Sequence, residues 1–192
     1  MKNKIYAICL WVGVGLLAIA IAGLAFWQIN IHSAAKKAEG YVTALRTRMP
    51  TPQGAVPEAR RDNAMPVLSV DGVDFVGILE LPRFGSALPV AGGWGKISQY
   101  PCRFTGSVYD RTLQIGATTQ AGQYDFYREI SAGDTVCFTD MEGNRYTYQV
   151  TDIRYEQHAD NAALSKKEAD LTVFIKNIYA MEYIILFCNV PQ

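Results

Sequence analysis

Residues 135–150 read TVCFTDMEGNRYTYQV, and this stretch decides the fold class. The runs 135–139 and 145–150 are rich in Val, Thr, Tyr and Phe, which favour strands. Between them, the segment DMEGN at 140–144 supplies the Asp, Gly and Asn that turns require. Two strand-forming runs joined by so short a turn predict a β-hairpin. We expect residues 151–155 to extend its second strand.

The same pattern continues on both sides of the hairpin. Other short runs rich in β-branched and aromatic residues lie between Gly, Asp and Pro breaks, at 76–81, 112–115, 171–175 and 183–187. The last two runs are apolar enough to be central strands. Short helices are expected at 125–130 and 163–169. Many short strands with few helices predict an all-β domain over residues 67–192, built as a small closed or partly closed β-barrel.

The N-terminal segment has a different character. Ile5 to Trp27 is a run of 23 residues without a charge, long enough to cross a bilayer core of about 30 Å. Because Lys2 and Lys4 precede it, residues 1–32 are predicted to be a single-pass anchor with a cytoplasmic N-terminus and an extracellular C-terminal domain. A cleaved signal peptide is the alternative, with small-residue cleavage sites between Ala18 and Ala22.

Residues 33–66 connect the anchor to the barrel. The segment 33–48 is rich in good helix formers, and Tyr41, Leu45 and Met49 form an apolar stripe at four-residue spacing. The following segment, 49–66, holds four of the chain's eight prolines. It has too little apolar surface to order itself, so it is predicted to be a linker or stalk.

Charge and composition exclude several classes of function. Eighteen Lys and Arg residues balance eighteen Asp and Glu residues in the 192-residue chain, and no basic stripe is present. A nucleic-acid partner is therefore not expected. The two histidines, His32 and His158, are isolated from each other and from any acidic cluster, so neither a metal nor another cofactor is expected.

The external domain contains Cys102, Cys137 and Cys188, an odd number, without a Cys-x-x-Cys pair. At least one thiol must therefore remain free. Cys137 alternates within its strand as a small apolar residue would, which favours a buried structural thiol. No serine nucleophile elbow, Walker loop or dinucleotide fingerprint appears.

The order and the spacing of four segments of the domain are informative. The segments are VGILELPRFGSALPV at 76–90, PCRFTGS at 101–107, AGDTVCFTDMEGNRYTYQVTDI at 132–153, and DLTVFIKN at 170–177, which an aliphatic run follows. Together with the N-terminal anchor, they resemble the sortases, membrane-anchored cysteine transpeptidases of Gram-positive bacteria. The resemblance implies an eight-stranded β-barrel on the cell surface, with a sorting-signal-like peptide or a cell-envelope protein as partner.

Sortases use a cysteine thiolate as nucleophile, a histidine that protonates the leaving amine, and an arginine that holds the substrate and the oxyanion. The resemblance places the histidine position at Ala117, the cysteine position at Lys176 and the arginine position at Tyr183. All three depart from the family's pattern. The resemblance also implies groove-lining positions at Thr118, Thr172, Phe174 and Ile175.

These replacements remove the expected chemistry, so we expect no catalytic residues. The methyl group of Ala117 carries no transferable proton. Lysine side chains, whose usual pKa is about 10.4, are almost wholly protonated at neutral pH. An acylated lysine would be an amide, which does not release its acyl group as a thioester does. A relocated thiol at Cys188, with His158 as its partner, is the alternative for catalysis.

Three hypotheses about function follow from different classes of protein. The first is a pseudoenzyme that binds a peptide or an envelope protein. The second is an active transpeptidase or hydrolase that uses displaced residues. The third is a structural or assembly module of the cell envelope that uses the barrel without its groove. Saturable peptide binding without turnover would favour the first hypothesis, and labelling by a sorting-signal peptide probe would favour the second. Neither result would leave the third.

Overall fold

The computed structural model describes residues 2–51, 64–119, 124, 126–157, 169–178 and 180–191. A long helix precedes nine strands. The helix is α1 (Lys2–Arg48), and the strands are β1 (Leu68–Val70), β2 (Val73–Leu81), β3 (Ser86–Ala91), β4 (Cys102–Thr105), β5 (Leu113–Thr118), β6 (Thr135–Asp140), β7 (Arg145–Glu156), β8 (Leu171–Asn177) and β9 (Glu182–Asn189).

Eight of the strands close into a barrel. Their order around the ring is β2–β3–β4–β5–β8–β9–β7–β6, and β6 pairs back with β2. Strand β1 pairs only with β2 and lies outside the ring. Most neighbours are antiparallel, whereas β3–β4 and β5–β8 are parallel. The eight-stranded barrel that the resemblance implied is confirmed.

The predicted hairpin is β6 and β7, and β7 extends to Glu156 as expected. The buried carboxylate of Asp140 holds its turn, because it accepts hydrogen bonds from the backbone N–H groups of Glu142 and Asn144. The hydroxyls of Tyr109 and Tyr146 also donate to it, at 3.2 and 3.3 Å. The helix expected at 125–130 is a single 3-10 turn, Tyr127–Glu129. The one expected at 163–169 falls almost entirely outside the described residues.

The barrel interior is filled by the inward side chains of its strands. Alternate residues of β5, β8 and β9 contribute to one apolar cluster that includes Ile115, Val173, Ile175, Ile184 and Leu186. All five are buried to 1% exposure or less. Because successive side chains of a strand point to opposite faces, their neighbours in sequence lie on the outer face of the barrel.

The helix α1 runs without interruption from the apolar segment to the barrel. Within it, Leu10–Arg48 is long and apolar enough to cross a membrane, a test that signal sequences also pass. Its last turns cover the outer face of β1, β2 and β3, where Ala38, Val42 and Leu45 are buried against Phe75 and Ile78. The predicted stripe is present, since Tyr41 and Met49 pack beside Leu45.

An ionic cluster also joins α1 to the barrel. The carboxylate of Glu80 in β2 pairs with Arg46 of α1 at 2.5 Å and with Arg145 of β7 at 2.7 Å. The predicted linker begins where α1 ends, but residues 52–63 lie outside the described part of the chain.

Candidate functional site

A row of four side chains crosses the outer face of the barrel near the ends of β5, β8 and β9. Lys176 of β8 pairs with Thr118 of β5 on one side and with Tyr183 of β9 on the other. Glu156 of β7 pairs in turn with Tyr183. We call Thr118, Lys176, Tyr183 and Glu156 the outer row. Each of them is partly exposed to solvent.

The alternation of side chains places this row outside the barrel. Ile175, which precedes Lys176, is fully buried in the barrel core, so Lys176 points away from that core. Its ammonium nitrogen Nζ lies 5.6 Å from the centre of the Tyr183 ring, a cation–π contact. Thr118 donates a hydrogen bond from Oγ1 to the carbonyl oxygen of Ile97 at 3.4 Å.

Ala117 has a different position from Lys176 and Tyr183. Its backbone is their neighbour, because it pairs with Ile175 in the parallel β5–β8 ladder. Its methyl group, however, is 3% exposed and belongs to the barrel core. The structure therefore brings Lys176 and Tyr183 together on one face and puts the side chain of Ala117 on the other.

The expected groove-lining residues divide in the same way. Thr118, Thr172 and Phe174 occupy outward positions of β5 and β8, although Thr172 and Phe174 are themselves buried. Ile175 lies instead in the barrel core, because it is one residue out of phase with Phe174.

An aromatic surface lies beside the outer row. It consists of Trp94, Phe104 and Phe174, whose ring centres are 5.2 to 5.8 Å apart. Trp94 and Phe104 remain 44% and 42% exposed. Gly116 makes this packing possible, since a Cβ atom there would lie only 2.4 Å from Cη2 of Trp94. Sequence analysis missed Trp94 and Phe104, although a glycine inside a strand is a signal of close approach.

The acidic residue next to Tyr183 does not neutralise Lys176. Glu182 pairs with Asn177 on the opposite face of the β8–β9 ladder. There its Oε1 accepts a hydrogen bond from Arg128 at 3.2 Å and one from Nδ2 of Asn177 at 3.3 Å. Among the residues that the structure describes, no carboxylate forms an ion pair with Lys176.

Similarity to solved structures identifies the fold. No family model and no curated protein matches this sequence. Sortase C1 of Streptococcus agalactiae is similar over 86% of this chain and 90% of its own, with a TM-score of 0.52 at 18% identity. Sortase A of Corynebacterium diphtheriae is similar over 84% of both chains, with a TM-score of 0.51 at 14% identity. The chain has the sortase fold.

A third sortase-fold structure contains a peptide motif. Clostridium perfringens sortase C, solved with the C-terminal cell wall sorting motif, gives a TM-score of 0.51 at 16% identity. The likeness covers 81% of this chain and 86% of that one. At these identities the similarity establishes the fold alone.

The three described thiols of this sortase-fold domain are unsuited to nucleophilic attack. Cys102, Cys137 and Cys188 are free and buried. Burial raises the pKa of Cys102 to about 11 and that of Cys188 to about 12, so both stay protonated at neutral pH.

Cys188 is also far from the outer row. It pairs with Leu171, five residues before Lys176 along β8, which is a distance of roughly 16 Å at ~3.3 Å per residue. Its alternative partner, His158, lies outside the described residues. In the part of the chain that the structure describes, no group of three or more His, Cys, Asp or Glu residues is arranged to hold a metal ion.

Proposed function

We propose that this protein is a non-catalytic member of the sortase family, a pseudoenzyme that binds an extended peptide segment of a cell-envelope protein. The observation that carries the proposal is the Lys176–Tyr183 pair in the outer row. The resemblance assigns the nucleophile and the arginine to these two positions. Here they carry an ammonium group and a phenol.

The surroundings of this pair support binding rather than turnover. None of the described residues in the outer row or the aromatic surface is a cysteine or a histidine. Covalent catalysis of acyl transfer needs an activated nucleophile within hydrogen-bond reach of a base. The amine of Lys176 beside the phenol of Tyr183, with no thiol or imidazole in either cluster, does not meet that need.

The aromatic surface supports a peptide ligand. Trp94 and Phe104 expose large rings next to the partly exposed outer row, whereas most other large apolar residues of the barrel are buried. Aromatic rings beside a small number of polar groups are typical of binding sites. The sorting motif in the Clostridium perfringens sortase C structure is consistent with a peptide as the class of ligand.

The long helix supports a location at the cell membrane of a Gram-positive bacterium. We propose that residues 1–32 are the anchor, 33–66 the connection and 67–192 the sortase-like domain, with the domain outside the cell. The uncharged run after Lys2 and Lys4 supports this orientation. Added protease should then remove the domain from intact protoplasts, whereas a cleaved signal peptide would instead give a soluble secreted domain.

Binding and turnover are tested on the full chain in detergent micelles. Fluorescent sorting-signal peptides should bind saturably and stay uncleaved in the presence and absence of an amine nucleophile. Cleavage that disappears in the Cys188→Ala variant would replace the proposal with displaced catalysis. Neither binding nor cleavage would favour a structural or assembly module.

A further inference from the structure

We infer that the peptide bound at the outer face carries a carboxylate that pairs with Lys176. Two residues away in the same peptide, an apolar side chain packs on Trp94 and Phe104. This inference deepens the proposed peptide-binding function and rests on it. It specifies the chemistry and the spacing of the bound segment.

The charge distribution points to the carboxylate. Among the described residues, Lys176 contacts the π face of Tyr183. Two acids are equally near to it in sequence: Glu182 is held by Arg128 and Asn177 on the other face, and Asp170, at the opposite end of β8, accepts a hydrogen bond from the backbone N–H of Val190. The outer row itself contains one acid, Glu156, but Tyr183 separates it from Lys176. Two strand spacings of ~4.8 Å make that separation about 10 Å.

A ligand carboxylate beside Nζ would therefore form a charge-assisted hydrogen bond that no described side chain of the protein already supplies. Glu156 should weaken this interaction slightly, since it adds a like charge at about one Debye length at 0.1 M salt. Removing the charge of Lys176 should therefore weaken binding of an acidic ligand, whereas removing the charge of Glu156 should strengthen it.

The apolar requirement comes from the aromatic surface. Trp94 packs against Gly116 and Phe174, which pair with each other in the β5–β8 ladder. Lys176 lies two residues further along β8 on the same face, a distance of about 6.6 Å. In an extended ligand, side chains two residues apart also point to one side with that spacing. A segment with an apolar residue at one position and a carboxylate two positions away therefore matches this face.

The probes are fluorescent five-residue peptides blocked at both ends, Gly-Phe-Gly-Glu-Gly and its reverse order, measured by fluorescence polarisation on the full chain in micelles. Replacing Glu by Gln should weaken binding by up to about 5-fold, the upper end of the range for one exposed ion pair. A peptide Gly-Phe-Gly-Gly with a free C-terminus distinguishes a main-chain carboxylate from a side-chain one. Binding of either acid with the same dependence on Lys176 supports the inference.

Protein variants make the test specific. Lys176→Met should cause the same loss for the Glu peptide and none for the Gln peptide, whereas Lys176→Arg should keep the preference. Glu156→Gln should strengthen binding of the Glu peptide. Lys36→Met, which removes an exposed lysine of α1, is the matched control and should leave binding unchanged.

The two levels of the proposal fail in different ways. Equal affinity for the Glu and Gln peptides, or a charge preference that survives Lys176→Met, would overturn the carboxylate inference while peptide binding stands. The two-residue spacing would be overturned if a peptide with adjacent Phe and Glu bound as tightly as the peptides in which one Gly separates them. Absence of binding by every peptide, the sorting-signal peptides included, would overturn the proposed function itself.

Discussion

Lys176 stands directly across from Tyr183 in the β8–β9 ladder, and its ammonium nitrogen is 5.6 Å from the centre of the tyrosine ring. The pair lies on the outer face of the barrel, one strand away from Ala117, whose methyl group lies inside. These three residues occupy the positions at which the resemblance implies a catalytic triad. On the proposed assignment, the site would carry the side chain of a lysine in place of a nucleophile.

The outward direction of Lys176 predicts that a thiol placed there will be accessible. In a Cys9→Ala background, a thiol-specific reagent should leave the native protein unmodified, because Cys102, Cys137 and Cys188 are buried. Adding Lys176→Cys should give one rapidly modified thiol per chain, quantified by mass spectrometry. Modification at Cys188 in the native state would contradict the burial described above.

The inward direction of Ala117 predicts a cost for restoring a histidine there. Ala117→His would force an imidazole into the packed barrel core, at an expected loss of about 1–3 kcal/mol of unfolding free energy. Thr118→His, one residue further along β5 on the outer face, should cost less. Thermal unfolding followed by circular dichroism measures both variants.

This cost also bears on reconstruction of the whole triad. A combined Ala117→His, Lys176→Cys and Tyr183→Arg variant should be labelled by a thiol-directed peptide probe only if the barrel accommodates the histidine. A stable Ala117→His variant with an unchanged melting temperature would show that its side chain reaches the outer face instead.

The aromatic surface depends on the missing side chain of Gly116. Gly116→Ala should displace Trp94, because the new methyl group would lie within 2.4 to 2.7 Å of ring atoms of Trp94 and Phe174. In a background with Trp11→Phe and Trp27→Phe, the emission of Trp94 should shift to the red, and binding of the Phe-containing peptides should weaken. Gly93→Ala is the control, since a Cβ atom at Gly93 meets nothing within 4 Å.

Local patterns in the sequence predicted six of the nine strands and missed β1, β3 and β4. The hairpin β6–β7 and the apolar strands β8 and β9 follow from alternation and from β-branched runs. Strand β3 was missed because Pro89 interrupts its run, although Pro89 still pairs with Ile78 in the sheet. Strands β1 and β4 have only three and four residues, too few for a periodicity to be recognised.

The proposed site follows only in part from the sequence. Motif order led to the hypothesis that Lys176 and Tyr183 belong to one site, and the two residues are register partners in the β8–β9 ladder. Which residues of β5 and β8 point into the barrel depends on how the two strands are placed in the sheet, and motif order does not determine that placement. Trp94 reaches the outer face from a 3-10 turn more than twenty residues before Gly116, so only tertiary packing brings the two together.

The buried thiol of Cys188 predicts a loss of stability in alkaline solution. Burial raises its pKa from 9.0 to about 12 in the folded chain. Below pH 9 the thiol is protonated in both states, so it contributes no pH dependence. Between pH 9 and 12 only the unfolded chain releases this proton, and the unfolding free energy should fall by up to about 1.4 kcal/mol per pH unit from this group.

Buried tyrosines such as Tyr148, whose pKa is also raised by burial, will add to the decline above pH 10. The contribution of Cys188 is isolated by measuring urea unfolding at pH 8, 9 and 10 for the native sequence and for Cys188→Ala. The variant should be less stable at pH 8, because a cavity replaces the sulfur, and should lose less stability between pH 9 and 10.

Cys102→Ala should also reduce the slope of unfolding free energy against pH, since burial raises that thiol's pKa to about 11. An unchanged slope in Cys188→Ala would mean that this thiol reaches solvent in the folded protein, and it would reopen Cys188 as a nucleophile.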